Sequence, residues 1–214
     1  MLILFMLLSY TLPSYEELVY SVKYGVMTAG ELRLEYKQDS LKGNYVRCEE
    51  RTNGVMGFIF SIEDWYESFS DSNFTTQRFE KDIKEGNYKK HLSVVIENGQ
   101  ATYQDGKVVP VVDSAKDIIN IWYWLRTQEL VPGDTITVAL HADKKNHKVK
   151  TVIREEKVNG RNCIAVVPNL TGIKTFGSKG GIVMYYDEDR TPVKFTVKFK
   201  WGDLEVELKR RSAN

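Results

Sequence analysis

Apolar and polar residues alternate along most of this chain. Leu32, Leu34 and Tyr36 are separated by Arg33 and Glu35. Val193, Phe195, Val197, Phe199 and Trp201 are separated by Lys194, Thr196, Lys198 and Lys200. Leu204, Val206 and Leu208 are separated by Glu205 and Glu207. Successive side chains of a strand point to opposite faces, so a period of two gives each strand one dry and one wet face. Antiparallel sheets fit that arrangement, whereas parallel sheets are covered on both faces. The pattern predicts an all-β, mainly antiparallel fold.

Turn signals punctuate the strands. Gly25, Lys42-Gly43-Asn44, Asn53-Gly54, Glu85-Gly86-Asn87, Asn98-Gly99, Asp105-Gly106, Asn159-Gly160 and Trp201-Gly202-Asp203 each stand between apolar-alternating runs. The spacing predicts about twelve strands in one large sheet, and a sheet that long must curl into a half-barrel or barrel. One segment departs from period two. Ile118, Ile121, Trp122 and Leu125 recur at helical spacing. Ser114 with Asp117 resembles a capping box, and Pro132-Gly133 closes the region. A helix is predicted over about 114–127, packed on the concave apolar face of the sheet.

The first eight residues, Met1 to Leu8, are all apolar, and no charge occurs before Glu16. A bilayer span needs about 20 residues, so this run reads as the apolar part of a secretory signal within residues 1–13. A single antiparallel β domain is expected over 14–212, with no transmembrane span in the mature chain. Export to the periplasm or elsewhere in the cell envelope follows from that reading. Hydrophobic residues make up 42% of the chain, enough for a real core. Lys plus Arg number 30 against 29 Asp plus Glu, and the net charge of +1 argues against a nucleic-acid partner. Cys48 and Cys163 are the only cysteines. They fit one disulfide in an oxidising compartment or two buried free thiols, and the latter is the expectation.

Chemistry-bearing motifs are sparse. His141 and His147 flank Asp143, but the intervening Lys144-Lys145 repels a cation, so no metal is expected. Residues 172–179 have the glycines of a phosphate-binding loop with Ser and Lys in the wrong order and a strand, not a helix, after them. No serine has a base and acid arranged around it in the sequence. Glu63 and Asp64 are adjacent in a strand and face opposite ways. No cofactor, metal or catalytic residue is predicted.

Aromatic residues carry the stronger signal. Phe58, Phe60, Ile62 and Tyr66 share one face of an expected strand, and Asp64 falls in phase with them. Trp122, Tyr123 and Trp124 are consecutive in the helix and cannot all face one way. Arg78 and Arg126 are the expected partners of carboxylates such as Asp64, Glu67 or Glu80. The candidate ligand-binding set is Phe60, Asp64, Tyr66, Arg78, Trp122, Trp124 and Arg126. These residues fit an apolar cavity between helix and curved sheet.

Longer runs point to a family. They are Thr52-Asn53-Gly54 with 58–71, Arg78-Phe79, Glu85-Gly86-Asn87-Tyr88, Tyr123-Trp124-Leu125-Arg126-Thr127 with Val131-Pro132-Gly133-Asp134, and Asp187 to Pro192. Val19 to Gly25 followed by Ala29-Gly30 adds an opening. Together they resemble a family of bacterial envelope proteins classed only as a domain of unknown function. The resemblance implies export and a β-rich fold. It implies no established activity, ligand or catalytic residue.

The reading is thus a non-enzymatic envelope protein that binds a lipid or other apolar or amphiphilic ligand between helix and sheet. Two alternatives stand beside it. One is a scaffold module with a filled core and an envelope-protein partner; the other is an uncharacterised enzyme.

Overall fold

The computed structural model describes residues 10–39, 43–54, 57, 61–170, 173, 181–199 and 202–214. The strands in the first half are β1 (Tyr15–Tyr24), β2 (Met27–Asp39), β3 (Gly43–Thr52), β4 (Glu63–Ser70), β5 (Thr76–Glu85), β6 (Tyr88–Glu97), β7 (Gln100–Tyr103) and β8 (Val108–Pro110). After the helix α1 (Asn120–Arg126) come β9 (Thr135–Ala142), β10 (Lys145–Val158), β11 (Arg161–Pro168), β12 (Ile182–Tyr186), β13 (Pro192–Phe199) and β14 (Gly202–Ala213). All lie in one 14-stranded sheet, where about twelve strands were expected, and every pairing between named strands is antiparallel.

The order in the sheet is β8-β7-β6-β5-β4-β3-β2-β1-β14-β13-β12-β11-β10-β9. Two meanders, β1–β8 and β9–β14, are therefore zipped together by the β1–β14 pair. The connection from β8 to β9 links the two outer edges of the sheet, and α1 lies within it. The helix turns into the concave side, where Tyr123 and Trp122 meet Tyr36 and Phe195.

Among the described residues no ladder closes the sheet, but side chains and one short bridge stitch its edges. Lys116 makes a parallel bridge with Leu140 of β9, donating its amide to Ala139 O at 2.9 Å and accepting from His141 N at 2.8 Å. Thr76 N donates to Ala115 O at 3.0 Å, tying the same segment to β5. Tyr103 on β7 shares a 2.7 Å hydrogen bond with His141 Nε2 on β9. Asn146 Nδ2 donates to Pro110 O at 2.9 Å.

The helix is shorter than the sequence pattern predicts. Ser114 has φ +59°, in the left-handed region, and does not cap it. Asp117 does that work: its Oδ1 accepts from Ile119 N at 3.0 Å and Asn120 N at 2.9 Å. Its Oδ2 accepts from Thr76 Oγ1 at 2.8 Å and from Ser68 Oγ. Residues 114–119 are held by the seam and by β5, which is why helical geometry starts only at Asn120.

The three consecutive helix aromatics separate as their spacing requires. Tyr123 stacks on Tyr36 of β2 with centroids 4.6 Å apart. Trp122 meets Phe195 of β13 at 4.9 Å. Trp124 is half-buried beneath the Lys116 ammonium, 5.7 Å from its ring centre. Leu32, Leu34 and Tyr36 face the core with Phe195 and Val206, as the alternation predicts. Each such side chain contributes about 1.5–3 kcal/mol through burial. Cys48 and Cys163 are free thiols, both buried.

Candidate functional site

The ladder of β2, β3 and β4 sets inward-facing residues in rows. Leu34, Cys48 and Tyr66 form one row. Leu32, Glu50 and Asp64 form the next. Directly opposed residues of an antiparallel pair have Cβ atoms about 4.5–5.5 Å apart, so the carboxyls of Glu50 and Asp64 share one site. Glu85 joins them from the end of β5, where it bridges to Ile62.

These rows open on a cavity of about 520 Å³. Trp122 supplies its wall from α1. Val22 of β1, Leu32 of β2, Phe195 and Val197 of β13, and Leu204 and Val206 of β14 supply the sheet side. Tyr24, Ala29, Ile62, Tyr66 and Ile182 add to the apolar surface. The polar lining consists mainly of Glu31, Glu50, Arg51, Thr52, Asp64 and Glu85. Interiors are ordinarily packed with few voids larger than a water molecule, so a space this size is an exception in the fold.

Burial pushes the Glu50 carboxyl up to about 8, and the neighbouring Asp64 and Glu85 add to the effect. Asp64 is also raised by burial, although it accepts a 2.7 Å hydrogen bond from Lys84 N. Glu85 is raised by burial and then by Asp64. Among the described residues no Lys or Arg forms an ion pair with any of these three carboxyls. The Cys48 thiol lies 4.0 Å from Glu50 Oε1, and burial drives its ionisation far upward.

The residues singled out from sequence divide between this cavity and other places. Asp64, Tyr66 and Trp122 line it together. Phe60 lies outside the described residues, as does almost all of the glycine-rich stretch 172–179. Arg78 stands on the outer face, because Phe79 and Ile83 take the inner one; it donates to Glu80 and covers the Phe69 ring at 5.8 Å. Trp124 points to Lys116 rather than to the cavity. Arg126 is buried in a separate polar site, paired with Glu16. Asp64 thus takes its hydrogen bond from backbone, while Arg78 pairs with Glu80, Arg47 with Glu67 and Arg126 with Glu16.

Glu50 and Glu85 were not singled out in the sequence. The signal for Glu50 was present: period two from the apolar Val46 and Cys48 carries it onto the same dry face. Glu85 carried the same signal, since period two from Phe79 and Ile83 puts it on the inner face of β5, but its place beside a turn masked it. His141 and His147 do not converge on a carboxylate; His141 bonds Tyr103 and Asn146, and His147 bonds Ala142 O.

A family described as "Protein of unknown function (DUF3108)" matches residues 19–209. The chain belongs to the DUF3108 family. No curated protein matches the sequence. In structure this DUF3108 protein is similar to a beta-barrel-like protein of a domain of unknown function, DUF1849, from Brucella abortus. That match has a TM-score of 0.63 at 9% identity and covers 95% of this chain and 99% of the other. A DUF1089 family protein from Pseudomonas aeruginosa is matched with a TM-score of 0.47 at 13% identity, over 78% of this chain and 89% of that one. The first likeness shows that the barrel-like fold is shared across a large sequence distance. No helix among the described residues is long and apolar enough to cross a membrane.

Proposed function

We propose that this DUF3108 protein is a non-enzymatic, exported protein that binds an apolar or amphiphilic molecule between α1 and the curled sheet. The observation that carries this reading is the apolar-walled cavity of about 520 Å³ beside Trp122. Its size lies within the roughly 300–1,000 Å³ of small-molecule sites, whose walls are mostly apolar with a few polar groups. A scaffold module would fill this space and leave its sheet edges free. Among the described residues the space is open, and β7 and β9 engage each other through Tyr103 and His141. The apolar run at Met1–Leu8 supports export, and cell fractionation of the full chain tests it.

Calorimetric titration of the intact chain with dodecanol, a neutral alkyl probe, tests the binding. Saturable one-site binding is expected. Ala29 is buried in the cavity wall, and Ala29→Leu fills space the probe needs, so binding should be lost while the fold is retained. Absence of binding to the wild type, with a cooperative fold intact, overturns the reading.

A further inference from the structure

The polar end of the cavity is chemically one-sided. Glu50 and Asp64 face each other across the β3–β4 ladder, and Glu85 joins them from β5. Like charges placed directly opposite on one face of a sheet are unfavourable. An apolar surround makes them more so, because the buried Asp64 and the half-buried Glu50 and Glu85 lose part of their hydration. Among the described residues no charged group on the surrounding elements neutralises the cluster. Glu31 of β2 and Arg51 of β3 alternate with the inward Leu32 and Glu50 and oppose each other across the ladder, so their charges fall on the other face; Lys81 and Asp82 of β5 act on Asp64 in opposite senses. Cys48 and Tyr66 beside Glu50 are held neutral by burial.

We propose that the cavity takes an amphiphile whose polar end is a cation, with an alkyl or aryl body against Trp122 and an ammonium among Glu50, Asp64 and Glu85. This rests on the ligand-binding reading above and names the class of ligand for the same site. Two features fit one occupant. The walls accept an apolar body, and among the described residues the acidic end has no ion-paired counter-charge, which such a head group brings. An anionic amphiphile, such as a fatty acid, would place a fourth carboxylate against the other three. Cation binding also favours the ionised form of Glu50, whose carboxyl is otherwise held up to about 8, so binding near neutral pH should release a proton.

The test titrates the intact chain with three probes of equal chain length: dodecylammonium, dodecanol and dodecanoate, each below its micellar concentration. At about pH 8 dodecylammonium should bind about tenfold tighter than dodecanol, and dodecanoate weakest. Its affinity should climb between about pH 6 and 8, while that of dodecanol stays level. Glu50→Gln should remove most of the preference for dodecylammonium over dodecanol; the wild-type pH series covers the case in which this variant does not fold. Dodecanol or dodecanoate binding as tightly as dodecylammonium sinks the cationic head group and leaves the ligand-binding reading standing. So does an ammonium preference that Glu50→Gln and pH leave unmoved. Failure of all three probes to bind removes both.

Discussion

Arg126 Nη2 on the helix donates to Glu16 Oε1 on β1 at 3.1 Å, joining two fully buried side chains 110 residues apart in sequence. Arg211 Nε on β14 adds a second donor to the same oxygen at 2.9 Å. The Arg126 guanidinium also lies over the Tyr123 ring, 5.2 Å from its centre. The pair therefore pins the helix where the two meanders are zipped together, because β1 and β14 are the strands that join them.

Removing one member leaves a buried charge poorly compensated. Arg126→Met should cost about 3–5 kcal/mol in urea unfolding followed by circular dichroism. The double variant Glu16→Leu with Arg126→Met should lose less than the single one, since neither charge is then stranded. A single-variant loss under about 1 kcal/mol would show that the pair does not anchor the helix.

Glu50 makes stability fall with rising pH. Its folded-state pKa of about 8 lies above the ordinary 4.5, so the folded chain holds a proton that the unfolded chain has released. Below the ordinary value both states are protonated and the effect vanishes. Through the window between the two values stability declines, and above it the loss is complete. Glu50→Gln should raise stability at about pH 8.5 by on the order of 2 kcal/mol and change little at about pH 4.5. Urea midpoints at the two pH values check this; equal effects at both would contradict the assignment.

The architecture was legible in the sequence because it rests on local patterns. Alternation at Leu32–Tyr36 and Val193–Val197 set the faces, and glycine turns set the hairpins. The site was only partly legible, because it depends on register. Ile62, Asp64 and Tyr66 lie in phase on one strand and meet the cavity together, as a period of two requires. Glu50 reaches Asp64 only through the β3–β4 pairing, which no local pattern states. Arg78 fell on the wet face for the same reason that Phe79 fell on the dry one. Arg126 was legible as a carboxylate partner, but Glu16, near the start of β1, was not recognisable as its mate. The start of the helix was misplaced because Asp117 takes its hydrogen bonds from Ser68 and Thr76 as well as from the helix amides, which needs tertiary structure.

Gly30 marks a close approach of β2 to β3. A Cβ there would overlap the carbonyl oxygen of Arg51, which is backbone and cannot swing aside. Gly30→Ala should cost more than about 2 kcal/mol, beyond the roughly 1 kcal/mol that alanine would otherwise gain over glycine. Thermal unfolding checks it, and an unchanged or raised Tm would contradict the tight ladder at the cavity rim.

Cys48 and Cys163 should resist thiol reagents in the folded state. Both are buried and free, and burial raises the pKa of each, which lowers the reactive thiolate fraction. A chromogenic disulfide reagent should label neither within minutes in buffer and both in urea. A mass lower by two hydrogens in the purified chain would instead reveal a disulfide and contradict the free thiols.

Among the described residues Trp122 is the tryptophan on the cavity wall, which makes it the most direct witness of ligand entry. The decisive measurement is quenching of tryptophan fluorescence by an alkyl chain brominated near its end, titrated into the intact protein. The account predicts saturable quenching in the wild type that disappears in Trp122→Phe while the other tryptophans remain. Absence of saturable quenching, or equal quenching in Trp122→Phe, would contradict an alkyl chain lodged between helix and sheet.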